Sequence, residues 1–159
     1  MSALGFFPDI LILSITFILM IIYRERLADF FLKTRLPNFV VYLIASMPFM
    51  LFEENINCLP TGCKLIPPTI PFLFAFILIL GLIVKYTKVK SLLRIIVGFS
   101  IFGIIIEYTV GATSFALQSL ISPFGLFLAI WVGISYAYIS LISLTILLRN
   151  KNKTLKCLT

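Results

Sequence analysis

Five apolar runs, residues 6–23, 39–52, 70–84, 92–111 and 124–148, alternate with short polar breaks along the chain. A helix needs about 20 residues to cross about 30 Å of hydrocarbon. The first, fourth and fifth runs are long enough alone, and the second and third must take in flanking residues. The pattern predicts an all-α integral membrane fold, a bundle of five transmembrane helices over about 6–23, 38–57, 69–86, 92–111 and 124–148, forming one polytopic domain across 1–159. Between the first two spans, Leu27, Phe30, Phe31 and Leu32 alternate with Arg24, Arg26, Lys33 and Arg35. This stretch reads as an amphipathic segment lying in the membrane interface.

Composition agrees with the pattern. The chain is 61% hydrophobic and 12% charged, with mean hydropathy +1.15; a soluble domain averages about 45–50% apolar and about 25% charged. Lipid is therefore the expected solvent. No polar stretch is long enough for a separate soluble domain. Histidine is absent, which excludes histidine-ligated haem, histidine-based metal sites and an imidazole base. Beyond that exclusion the sequence leaves cofactor and metal undefined.

The net charge of +7 acquires a different meaning once its distribution is followed. The first connection holds Arg24, Arg26, Lys33 and Arg35, the third holds Lys85, Lys88, Lys90 and Arg94, and the tail holds Arg149, Lys151, Lys153 and Lys156. In a five-span chain all of these lie on one side, leaving Lys64 alone on the other. By the positive-inside rule that side is the cytoplasm. The expected orientation is N-terminus outside and C-terminus cytoplasmic, in the plasma membrane. Basic clusters beside apolar runs are orientation signals and do not point to nucleic acid. No basic residue precedes the first run and no small-residue cleavage site precedes Arg24, so it reads as a retained anchor.

Candidate chemistry lies on the expected outer side, where Asp9, Glu53, Glu54 and Glu107 face only Lys64. Glu53, Glu54 and Asn55 fall in the last turns of the second span. Glu107 lies thirteen residues beyond Arg94, about 20 Å along a helix. Carboxylates within the hydrocarbon cost about 2.5–3.5 kcal/mol each at the centre and less near the interface, so they require protons, a cation or a water-filled pocket. Ser100, Gly103, Glu107 and Gly111 form a stripe that should face another helix, and Ala129, Gly133, Ala137 and Ser140 offer a matching stripe on the fifth span. Glu53, Glu54, Asn55, Asn57, Glu107 and Tyr108 are the candidate polar or cation site, with Asp9 and Trp131 as possible additions. Tyr108 or Gln118 is the expected donor to Glu107. Asp9 has a plainer explanation, an acidic group at a helix N-terminus.

Cys58 and Cys63 flank Leu-Pro-Thr-Gly in the expected outer connection, where an oxidised pair is expected; the spacing also admits free or metal-bound thiols or a redox pair. Pro67, Pro68 and Pro71 open the third span, where a missing N–H costs least. Pro48 lies inside the second and should kink it before the acidic pair. The order Glu107, Gly111, Pro123, Trp131, Tyr136, with Pro48 ahead of Glu53 and Glu54, resembles small membrane proteins of carotenoid biosynthesis such as lycopene cyclases. These are scattered positions and not a specific motif, and the resemblance transfers no activity.

Three functions fit these residues. The chain is an accessory or assembly subunit, or a homo-oligomer that binds or conducts cations through a ring of outer carboxylates, or a membrane-embedded enzyme using carboxylate acid/base chemistry on a lipid or isoprenoid. The first two rank ahead, since no catalytic constellation is complete. The expected partners are membrane lipids and further copies of the chain or a larger membrane complex.

Overall fold

The computed structural model describes the backbone of residues 3–57, 69–87, 89, 91–109 and 122–156, and the side chains of 10–56, 69–87, 89, 91–109 and 122–149. The described chain is all-helical: α1 (Ala3–Leu32), α2 (Asn38–Asn57), α3 (Ile70–Tyr86), α4 (Leu92–Thr109) and α5 (Pro123–Lys156). Three segments, Asn38–Ile56, Leu92–Thr109 and Pro123–Arg149, are long and apolar enough to cross a membrane, and α3 is a shorter apolar helix.

The last helix is the core of the bundle. From Trp131 to Leu148 only Ile134 is not fully buried, whereas α4 buries just Ile95, Phe99, Gly103 and Tyr108. α1, α2, α3 and α4 all pack against α5, while α1 and α3 also flank α2. A helix buried on every side has no polar face to show, and α5 satisfies several of its hydroxyls within its own turns, though the buried Ser135 Oγ has no hydrogen-bond partner among the described residues. Ser140 Oγ donates to the Tyr136 carbonyl at 2.9 Å, Ser143 Oγ to Ser140 at 3.0 Å and Thr145 Oγ1 to Leu141 at 2.8 Å. Ser122 caps this helix: its Oγ accepts the Gly125 N–H at 3.1 Å, with Pro123 in the first turn where its lack of an N–H is harmless.

α1 departs from expectation. The interfacial segment expected between the first two spans is, through Leu32, the uninterrupted end of α1, which makes α1 30 residues long. No glycine or proline intervenes between Tyr23 and Lys33 to stop it. At 1.5 Å per residue α1 is about 45 Å long, so it exceeds a hydrocarbon core of about 30 Å. α5, at 34 residues, exceeds it too, continuing past the expected end at 148. The two overhangs meet where Arg149 Nη1 lies 2.6 Å from Asp29 Oδ1 and 3.8 Å from Glu25 Oε2. α2 continues through Pro48 as one helix.

α2 and α3 close on each other through Tyr42. Its hydroxyl donates to the Ile77 carbonyl at 2.6 Å, and its ring lies against Gly81, where a Cβ would overlap it. By contrast α3 and α4, joined by a connection of five residues at 87–91, do not pack along their length. They meet at Phe76 and Phe102, whose rings stand edge to face at 5.3 Å.

Candidate functional site

The bundle has a basic and an acidic end. Every described Lys and Arg lies toward the first, and Glu53, Glu54 and Glu107 lie toward the second. α2 ends there with Glu53 buried at 5% exposure and Glu54 half-buried. α4 ends there with Glu107, also half-buried.

The stripe on α4 faces α5. Ser100 Oγ donates to the Gly133 carbonyl at 2.8 Å. At Gly103 the missing side chain is replaced by the Tyr136 ring, which a Cβ would overlap. One turn further, the Tyr136 hydroxyl reaches Glu107 Oε1 at 3.4 Å. The glycine therefore makes the notch that lets an aromatic ring lie flat against α4 and present its hydroxyl to the carboxylate above. On α5, Gly133 and Ser140 belong to the opposing face, and Ala129 packs beside Tyr108 and Leu128.

Glu53 and Glu54 approach the same hydroxyl. The charges of all three carboxylates act on Tyr136, and Glu107 acts on Glu54. Thr69, at the N-cap position of α3 without capping its own helix, lies near Glu54. On the other side of α5, Tyr138 is within reach of the Glu53 charge and lies near Thr16 of α1. The rings of Phe17, Phe49 and Phe52 surround it at 5.9–6.5 Å. The assembled chemistry is three carboxylates and two phenols drawn from α2, α4 and α5. Among the described residues no group of three or more acidic, cysteine or histidine side chains is placed to hold one metal ion.

The other expected members lie elsewhere. Asn55 is exposed, and its Nδ2 donates to the Leu51 carbonyl of its own helix at 2.7 Å. Tyr108 is not the donor to Glu107. One residue along a helix turns the side chain by about 100°, and the Tyr108 hydroxyl donates to the Gly125 carbonyl at 2.6 Å, joining the end of α4 to the start of α5. Trp131 is buried in the α5 core. The side chains of Asp9 and Asn57, and Cys58, Cys63, Gly111 and Gln118 altogether, lie outside the described residues. Tyr136 joins the expected set. Tyr136 carried one signal in the sequence, its place one turn from Ser140 on the small-residue side of the fifth run.

No protein-family model, curated protein or solved structure matches the chain.

Proposed function

We propose that the chain is a five-span protein of the plasma membrane, N-terminus outside, whose carboxylate and tyrosine cluster is an acid/base site in the outer leaflet acting on a lipid or isoprenoid substrate. The observation that carries this reading is the Tyr136 hydroxyl at 3.4 Å from Glu107 and within the field of Glu53 and Glu54, with every described cationic side chain at the other end of the bundle. Three carboxylates gathered at one end of the bundle repel one another, and an apolar layer penalises their charged forms, which favours a proton being held among them. A bound proton held between a carboxyl and a phenol is what general acid/base chemistry requires.

The span count rests on the exposed faces. Leu93, Val97, Ile101 and Ile105 on α4 and Leu11, Ile15, Ile18 and Ile22 on α1 are exposed in rows one turn apart, a surface that lipid accommodates and water does not. The α4 stripe packs within the chain, against α5, and Glu53 is buried, which favours this site over a ring of carboxylates shared among subunits.

Infrared spectroscopy of the protein in lipid tests the site. At neutral pH the cluster should give a protonated-carboxyl band that shifts in Tyr136→Phe as its hydrogen-bond donor is removed. A spectrum with every carboxyl ionised at neutral pH would overturn the acid/base reading and leave an accessory role as the better one.

A further inference from the structure

Away from the acidic cluster, the divergence of α3 from α4 opens a cleft of about 1140 Å³, larger than the roughly 300–1,000 Å³ of a typical small-molecule pocket. Its far end is closed by the Phe76 and Phe102 ring pair, and its back wall is made by the buried Leu80, Val84, Ile95 and Phe99. Its other end is polar, with Thr87, Ser91 and the exposed Arg94. From Phe76 to Thr87 the cleft runs about 16 Å at 1.5 Å per residue, close to one leaflet of a hydrocarbon core about 30 Å thick. Gly98 lines it, and a Cβ there would meet nothing within 4 Å, so the opening is widened where a side chain would narrow it.

The charged group that lines the cleft, Arg94, is a cation. The only described carboxylates at the basic end are Glu25 and Asp29, and these face Arg24 and Arg149; Arg94 forms no ion pair among the described residues. An apolar slot one leaflet deep, ending in a guanidinium and two hydroxyls, matches an amphiphile with a negatively charged head. We infer that the cleft between α3 and α4 binds an anionic phospholipid of the leaflet at the basic end, an acyl chain lying against Phe99 and Gly98 and the phosphate meeting Arg94.

The full-length chain, released from bilayers of equal phosphatidylcholine and phosphatidylglycerol, would be weighed by native mass spectrometry. Wild type should retain phosphatidylglycerol several-fold over phosphatidylcholine. Arg94→Gln, a change at an exposed side chain, should bring the two to near equality. Gly98→Phe fills the slot and keeps every charge, so it should lose the retained lipid. Wild-type adducts in the proportion of the bilayer would overturn the proposal. So would a phosphatidylglycerol preference that survives Gly98→Phe, which would assign it to surface charge alone, or a lipid-free complex of two chains.

Discussion

Gly103 and Gly98 sit on the same helix five residues apart and meet opposite surroundings. A Cβ at Gly103 would overlap the Tyr136 ring, while at Gly98 it would meet open space. Gly103→Ala should therefore destabilise the protein by about 1–3 kcal/mol, the usual cost of overpacking, and Gly98→Ala should change stability by no more than about 0.5 kcal/mol. Thermal unfolding of both variants in one detergent checks the contrast, and equal melting temperatures would count against the Tyr136 notch. The spacing of Ser100, Gly103 and Glu107 made their shared face legible in the sequence. What filled that face was not legible, because periodicity reveals which residues of a helix point together and not which residue of another helix stands opposite. Tyr108 was the nearest donor in sequence, but helical geometry turns it toward Gly125.

The helices were legible wherever an apolar run met a stop signal. α2 begins and ends at the expected 38 and 57, between Pro37 and a turn-rich stretch with Pro60 and Gly62. α1 and α5 overran their expected ends because hydropathy marks where the lipid-compatible segment finishes, while a helix continues until glycine, proline or lost contacts stop it. Their overhangs support each other through Arg149, a contact that no local pattern announces. At the acidic end, α2 and α3 are joined by the stretch containing Cys58 and Cys63, whose thiols should form a disulfide if that end faces outside. Mass spectrometry of protein purified without reductant should find the peptide two mass units lighter than its reduced form; two alkylatable thiols would contradict it.

At the scale of the molecule, the clustering of basic residues is the ground for the proposed orientation, and cysteine accessibility in intact cells tests it. Cysteines placed at positions 2 and 118 should react with an impermeant reagent from outside, and one at position 152 only after permeabilisation. External reaction at 152 would reverse or break the proposed topology. Composition made the membrane class legible at this scale too. The central place of α5 was not, since its hydropathy resembles that of a helix facing lipid; only its serines and small residues distinguish it.

The helix that holds the bundle together is also the last of the five to be synthesised. α4 packs chiefly on α5, so until α5 arrives the earlier helices lack their common surface. Arg149 and Asp29 lie 120 positions apart in sequence, and contacts of such separation form late and slowly. Assembly of the five helices is consequently a docking event that waits for α5, preceded by an interval in which incomplete bundles are open to capture or degradation. A fragment of residues 1–121 should be short-lived in pulse-chase labelling and rescued by co-expressing residues 122–159, whereas a long-lived fragment would show that the first four helices hold a fold without their axis.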